Sequence, residues 1–236
     1  MAFERCYRNF KYIQYIIRSL LYMEGLRNLI FQYSHFFILV PLVISFLKRG
    51  KGLNIIQFVF LYLLLSGITE LISFILWKQS RNNFPILHAY TIFEFLILLG
   101  LFARLLEGFI RRSILLWVAI CFTAFSLTDS FLISGIFTYN LYARSIEALI
   151  LITLSLSWFI RSVSLEDAQK QEYNGVNYIV GGILVYFSGS ITLFSTSGIV
   201  KEMSETFRMD LWTMHTILIL LLYILITIGL WRAKTR

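Results

Sequence analysis

The sequence predicts an all-α protein that crosses a membrane as a bundle of seven helices. Of its 236 residues, 58% are hydrophobic and only 14% are charged, and the mean hydropathy is +0.75. Soluble domains carry about 25% charged residues, so the composition excludes a soluble fold. Apolar runs of about 20 residues, the length that crosses the hydrocarbon core of a bilayer, recur along the chain with short connections between them.

Seven apolar runs qualify as spans, and charged or turn-forming residues bound them. Lys48 follows the first run and Lys78 the second, while Pro85 opens the third at a position suited to the first turn of a helix. The longest connection, 163–176, is acidic and long enough for one surface helix but not for a domain. The predicted spans are about 29–47, 54–77, 84–103, 113–135, 141–160, 178–200 and 211–231.

A basic segment, residues 1–27, precedes the first span. Its apolar side chains recur at helical spacing, which predicts an amphipathic helix lying in the membrane interface. Met23 offers an alternative start of the chain. No cleavable signal peptide is expected, because the first apolar run is as long as a span and lacks a small-residue cleavage site. Residues 28–236 are expected to form one transmembrane domain.

The distribution of Lys and Arg between alternate loops predicts the orientation of the bundle. Short cytoplasmic loops are enriched in basic residues. One set of loops carries only Lys78, Arg81, Lys201 and Arg208. We therefore expect an extracytoplasmic N-terminus and a cytoplasmic C-terminus, although the basic 1–27 segment favours the reverse. The residues assigned to the cytoplasmic side are Lys48, Arg49, Lys51, Arg104, Arg111, Arg112, Arg161, Lys170, Arg232, Lys234 and Arg236.

Two pairs of spans resemble each other and suggest an internal repeat. The stretch "LLLSGITELISF" at 63–74 in span 2 is similar to "VYFSGSITLFST" at 185–196 in span 6. His88, near the start of span 3, corresponds to His215, near the start of span 7. The pattern predicts two parallel three-helix repeats joined by span 4, a 3+1+3 arrangement.

Ionisable side chains inside the spans are the main functional signal, since Asp, Lys or Arg costs about 2.5–3.5 kcal/mol at a helix centre. When successive helices alternate in direction, these groups fall in one half of the bilayer, the outer half in the orientation above, apart from Glu94, which is predicted near the midplane. We expect them to line a polar pocket for a small molecule or an ion. The alternative is buried ion pairs that only stabilise the bundle, as Arg144 and Glu147 at i and i+3 allow. The candidate ligand-binding residues are Glu70, His88, Tyr90, Glu94, Asp129, Arg144, Glu147, Ser188 and His215.

The favoured function is a sensor or receptor for a small extracytoplasmic ligand or ion. The polar groups lie off-centre toward the outside, and no soluble catalytic domain is attached. Signalling then requires a cytoplasmic or membrane partner, with 107–113 and 163–176 as candidate contacts. A proton-coupled carrier of a small solute is the first alternative, since buried acids and parallel repeats both suit transport. The lipid bilayer is an expected partner and nucleic acid is not, because the basic residues lie in loops and tails.

A metal-dependent intramembrane hydrolase is the second alternative. His35, His88 and His215 are predicted at one depth and are candidates for a zinc site of three nitrogens and a water. His88 and His215 are also candidates for axial haem ligands. The sequence contains neither HxxxH nor HExxH, so an enzymatic role is less favoured than binding.

Three segments resemble a family of bacterial seven-span proteins without an established activity. They are "NLYARSIEALILITLSLSWF" at 140–159, "ILVYFSGSITLF" at 183–194 and "LWTMHTILILLLYILITIGLW" at 211–231. The resemblance implies a seven-span topology and a bacterial inner-membrane location. The layout is also similar to the broad group of opsins, sugar carriers and seven-helix receptors. Retinal is not expected, because span 7 has no lysine for a Schiff base.

Overall fold

The computed structural model describes residue 25 and residues 33–49, 54–166, 171, 173–200 and 205–233, apart from the side chains of 35, 194–200 and 205–208. The predicted amphipathic segment 1–27 apart from residue 25, residues 167–170 and 172 of the acidic connection, and the start of the predicted first span therefore lie outside the described residues. In the described part every regular element is helical, and no strand is present. This confirms the all-α prediction.

Seven α-helices follow one another with short connections through the described residues. They are α1 (Leu39–Lys48), α2 (Ile55–Lys78), α3 (Phe84–Leu105), α4 (Arg112–Thr128), α5 (Leu141–Val163), α6 (Asn174–Val200) and α7 (Glu205–Arg232). A 3₁₀ turn, Ser34–Phe36, precedes α1, and α4 continues as a π-helix, Asp129–Ile133. Pro85 lies in the first turn of α3, as predicted, where its missing N–H leaves no helical hydrogen bond unmade.

Six of these helices are long and apolar enough to cross a membrane: α2, α3, α4 with its π-helical extension, α5, α6 and α7. Large apolar side chains cover their outward faces, Trp117 on α4 and Leu71 on α2 among them. Exposed hydrophobic surface on this scale is typical of helices that face lipid in an integral membrane protein. The α1 helix has only 10 residues within the described part, which is too short to cross a bilayer on its own.

Six helices form a closed ring in the order α1, α2, α3, α5, α6, α7, and α7 returns to pack on α1. The α4 helix packs outside the ring against α3 and α5. The α6 and α7 helices approach closely where Gly175 and Gly229 face each other. A Cβ built on Gly175 would lie 2.4 Å from the Gly229 carbonyl oxygen. Only glycine fits at this contact, and small residues are common where two membrane helices pack closely.

Basic side chains tie helices together at one end of the bundle. Lys48, at the end of α1, donates hydrogen bonds to the Leu230, Trp231 and Ala233 carbonyl oxygens at the end of α7. Arg161, at the end of α5, donates to the Leu105 carbonyl oxygen at the end of α3 at 2.6 Å. The α1 and α7 helices therefore run parallel, as do α3 and α5, and the carbonyls at the ends of α7 and α3 receive positive charge, which the helix dipole favours. We call this end of the molecule the basic end.

Candidate functional site

The centre of the ring holds an ionic cluster shared by α3 and α5. Arg144 donates from one guanidinium nitrogen to both Glu94 and Glu147, and the distance to Glu147 Oε2 is 2.8 Å. Glu94 lies at the middle of α3, whereas Arg144 and Glu147 occupy the first two turns of α5. Both glutamates are fully buried, and Arg144 is 8% exposed. The structure thus brings together three predicted site residues from two helices.

A hydrogen-bond chain extends the cluster toward α2. Tyr90 donates its hydroxyl hydrogen to Glu94 Oε1 at 2.9 Å, one turn away on the same helix. The Ser66 hydroxyl of α2 lies 3.0 Å from the Tyr90 oxygen. The Arg144 guanidinium also lies 5.3 Å from the centre of the Tyr90 ring, within the range of a cation–π contact. Both oxygens of Glu94 are therefore occupied, one by a phenol and one by a guanidinium.

Further phenols surround Arg144. Tyr62 of α2 and Tyr186 of α6 are buried side chains that lie within electrostatic reach of Arg144 and Glu94. Tyr139, in the connection between α4 and α5, hydrogen-bonds with Arg144 through its hydroxyl. Desolvation raises the pKa of the Tyr139 phenol above its ordinary value. The Tyr139 ring therefore contributes a neutral hydroxyl to the cluster at physiological pH.

The charges of the cluster do not balance if both glutamates are ionised. Two carboxylates then face one guanidinium, which leaves one excess negative charge in a buried site. The geometry identifies the less well satisfied group: Glu147 Oε1 is buried and has no hydrogen-bond partner among the described residues. A buried carboxylate oxygen without a partner is costly, and a bound proton or cation removes that cost.

A second polar network lies beside the cluster and holds the connection between α4 and α5. His88 of α3 donates from Nε2 to the Thr138 carbonyl oxygen at 2.9 Å. Its Nδ1 lies 2.7 Å from the Ser130 hydroxyl, which in turn lies 2.7 Å from the Ser126 carbonyl oxygen. Ser130 donates to a neutral imidazole, or accepts from an imidazolium and donates to Ser126.

Asp129 belongs to the same network and caps the start of α5. Its Oδ2 accepts from the Ala143 backbone N–H at 3.2 Å, and its Oδ1 accepts from the Ser134 hydroxyl at 2.6 Å. A carboxylate at a helix N-terminus is favoured by the helix dipole and by the unpaired N–H groups there. Asn140, the residue before α5, donates to the Thr91 hydroxyl oxygen at 2.6 Å. His88 and Asp129 thus join three helices and position Arg144 and Glu147.

The remaining predicted site residues lie outside the ionic cluster. Glu70 of α2 accepts from the Tyr223 hydroxyl of α7 at 3.3 Å. His215 of α7 lies 3.2 Å from the Ser190 hydroxyl of α6 through Nδ1. Ser188 is exposed on α6. The structure therefore brings Tyr90, Glu94, Arg144 and Glu147 together, places His88 and Asp129 next to them, and gives Glu70 and His215 separate interhelical partners.

The predicted metal site is not formed by the described residues. No three His, Cys, Asp or Glu side chains among them converge as metal ligands. His88 and His215 bond to different helices, and the side chain of His35 lies outside the described part. The zinc and haem hypotheses stay predictions.

Several residues of the site were missed by the sequence prediction. Ser66 of α2 bonds to Tyr90, and Tyr186 of α6 lies near the cluster. Ser130 bonds to His88 and Thr91 to Asn140. Tyr139, in the connection before α5, bonds to Arg144. One signal was present: a buried phenol needs a hydrogen-bond partner, so tyrosines inside apolar spans point to polar neighbours. Serine and threonine carried no such signal, because in membrane helices they commonly bond their own backbone.

The fold and the site define the class: a helical membrane protein with a buried ionic cluster at the centre of a ring of helices. The chain matches no protein-family model, no curated protein and no solved structure. The resemblance to bacterial seven-span proteins therefore stays a prediction, and the function is argued from the site.

Proposed function

We propose that the protein is a proton-coupled carrier of a small solute, with Glu94, Arg144 and Glu147 as its proton site. One observation carries the proposal: the buried Glu147 Oε1 has no hydrogen-bond partner among the described residues, in a cluster of two carboxyl groups and one guanidinium. A proton on this cluster balances its charge. Release of that proton leaves a buried excess charge that favours a different helix arrangement.

A proton suits the cluster better than a larger cation. Arg144 and the neighbouring phenols occupy the space around the two glutamates. A metal ion needs several oxygens at fixed distances, whereas a proton needs one oxygen. Buried carboxyl groups in membrane helices are typical of proton pathways. The free oxygen of Glu147 is the proposed acceptor.

Enclosure of the cluster supports a carrier over a receptor with an open pocket. Residues from α2, α3 and α5 contact one another at the cluster, and Tyr186 of α6 faces it. One cavity beside Leu115 and Leu149, and another beside the connection between α3 and α4, are lined by other residues. Access to Glu147 therefore requires helices to separate, as they do in alternating access. A sensor would use the same site without moving solute across the membrane. The second experiment below distinguishes a carrier from a sensor.

The finer topology is part of the same proposal. We infer seven spans, with residues before α1 completing the first, in a bacterial inner membrane with the N-terminus outside. The basic end then faces the cytoplasm, as the residues Arg104, Arg111, Arg112 and Arg161 favour. The 3+1+3 repeat is supported by the order of the ring, in which α1–α3 and α5–α7 are each consecutive and α4 packs outside.

The first experiment tests the proton site. Infrared difference spectra of the purified protein between acidic and alkaline pH are expected to show a protonated carboxyl C=O band in the wild type. Glu147→Gln removes that band or shifts it, while Glu107→Gln, a change at an exposed glutamate, leaves it unchanged. A band unaffected by Glu147→Gln and by Glu94→Gln contradicts the proposal.

The second experiment tests coupling to a solute. Proteoliposomes that enclose a pH-sensitive dye are exposed in turn to amino acids, sugars and carboxylic acids under an imposed pH gradient. A carrier shows a saturable pH change with one class of solute, and Glu147→Gln abolishes it while solute counterflow continues. A titrating cluster with no solute-dependent proton movement contradicts the carrier and leaves the sensor hypothesis.

A further inference from the structure

A second polar feature lies far from the ionic cluster, at the basic end of the bundle. It is a cavity of about 560 Å³ beside the connection between α3 and α4. Three arginines line it, Arg104 from the last turn of α3 and Arg111 and Arg112 from the start of α4, together with one acidic residue, Glu107. We call it the arginine cavity.

The three guanidinium groups have no ion-pair partner among the described residues, although Glu107 lines the same cavity. All three side chains are exposed. Three positive charges that converge on one concavity repel one another, so an anion bound between them lowers the energy. The planar guanidinium offers paired N–H donors that match the oxygens of phosphate.

Backbone and aromatic residues give the cavity its shape. Gly108 adopts a left-handed backbone conformation, with φ of +80°, and turns the chain from α3 toward Arg111. Gly100 of α3 allows the Phe58 ring of α2 to lie against the helix, since a Cβ there would meet Phe58 Cε1 at 2.5 Å. Phe58 and Phe109 add apolar walls to a cavity whose charged side chains are arginines.

We propose that the arginine cavity binds a phosphate group, supplied by the headgroup of an anionic phospholipid. The cavity lies at the end of membrane-spanning helices, the level at which headgroups are found. Phosphate oxygens meet Arg111 and Arg112, and the acyl chains lie along Phe58 and Phe109. This inference does not depend on the proton site, because the two sites share no residue.

The test uses the full-length protein in a neutral detergent and native mass spectrometry to count bound molecules. The probes are short-chain phosphatidic acid, phosphatidylcholine with the same chains, and inorganic phosphate. The wild type is expected to retain one phosphatidic acid in preference to phosphatidylcholine. The double variant Arg111→Gln/Arg112→Gln is expected to bind it roughly 30-fold more weakly, since each basic side chain near an anionic headgroup contributes about fivefold.

Two matched variants control for charge and folding. Arg49→Gln/Arg232→Gln makes the same change in net charge at the same end of the bundle, outside the cavity, and is expected to bind as the wild type does. Among the described residues that line the cavity, Glu107 is the only acidic one, so Glu107→Gln is expected to tighten binding several-fold, which a folding defect would not do.

The outcomes separate the sources of the phosphate group. Retention of phosphatidic acid that excess inorganic phosphate does not displace supports the lipid headgroup. Full displacement by inorganic phosphate supports the phosphate site with a soluble anion as its source. Equal binding by Arg111→Gln/Arg112→Gln and by the control pair overturns the proposal, as does equal retention of phosphatidic acid and phosphatidylcholine by the wild type.

Discussion

Arg144 and Glu147 lie one turn apart on α5 and are joined by a hydrogen bond of 2.8 Å, while the second oxygen of Glu147 has no partner among the described residues. Arg144 binds Glu94 of α3 with the same nitrogen. One guanidinium thus joins two helices and partly neutralises two acids. The stability of the bundle and the proposed proton binding both depend on this sharing.

Arg144→Gln is expected to destabilise the protein strongly, by about 3–5 kcal/mol, because two buried carboxyl groups lose their cation. Thermal unfolding in detergent measures the effect, with Arg81→Gln at an exposed position as the control. The triple variant Glu94→Gln/Arg144→Gln/Glu147→Gln is expected to be more stable than Arg144→Gln alone. If the triple variant is as unstable as Arg144→Gln, the unpaired buried carboxyl groups are not what destabilises the single variant.

Glu94→Gln is expected to destabilise the protein more than Glu147→Gln. Glu94 accepts from Tyr90 and Arg144 with separate oxygens, whereas among the described residues Glu147 accepts from Arg144 alone. The difference is one hydrogen bond to a charged acceptor, about 1.5–3 kcal/mol. Unfolding measurements on both variants at one pH test the order. If Glu147→Gln is the more destabilising change, Glu147 and not Glu94 is the carboxyl group with more hydrogen bonds.

His88→Ala is expected to loosen the connection between α4 and α5 without unfolding the ring. The variant loses hydrogen bonds to the Thr138 carbonyl oxygen and the Ser130 hydroxyl, about 1 kcal/mol each. Hydrogen exchange resolved by mass spectrometry is expected to rise at residues 134–140 and stay unchanged in α7. Ala89→Ser, next to it on the exposed side of α3, serves as the control. Uniform acceleration along the chain would indicate a global effect instead.

Lys48→Met is expected to release α1 from α7. The ammonium group donates to three carbonyl oxygens at the end of α7, and methionine keeps the length of the side chain without the charge. The loss is about 1–2 kcal/mol, reduced by partial exposure of the site. Limited proteolysis after α1 is expected to accelerate. Lys48→Arg preserves donors and charge, so equal cleavage of both variants would argue against this tether.

Gly229→Ala is expected to separate α6 from α7, because a Cβ at this position would lie 2.6 Å from the Gly175 carbonyl oxygen. The expected cost is about 1–3 kcal/mol, typical of an overpacked contact. Gly181→Ala in α6 is the matched control, since the nearest atom to its Cβ is 3.9 Å away. Thermal unfolding of the two variants compares the effect of the same added methyl group at the closely packed Gly229 and at the open Gly181. Equal melting temperatures would contradict the close approach.

The helices, and which of them carry buried polar groups, could be predicted from the sequence. Apolar runs are limited by bilayer thickness, so their length and number follow from composition and spacing. The predicted span at 84–103 corresponds to α3 (Phe84–Leu105), and the one at 141–160 to α5 (Leu141–Val163). Buried ionisable residues in these spans were recognisable because each is costly in lipid.

Which polar groups meet was decided by the tertiary structure. Tyr90 and Glu94 share a face by helical periodicity, but the contact of Arg144 with Glu94, 50 residues away, depends on how α5 packs against α3. His88 and Asp129 were predicted as pocket residues, yet the structure places them in the bonds that hold the connection before α5. Sequence determines the burial and the spacing of such groups along one helix. Helix rotation and neighbour order, which set distances between helices, depend on packing over the whole ring.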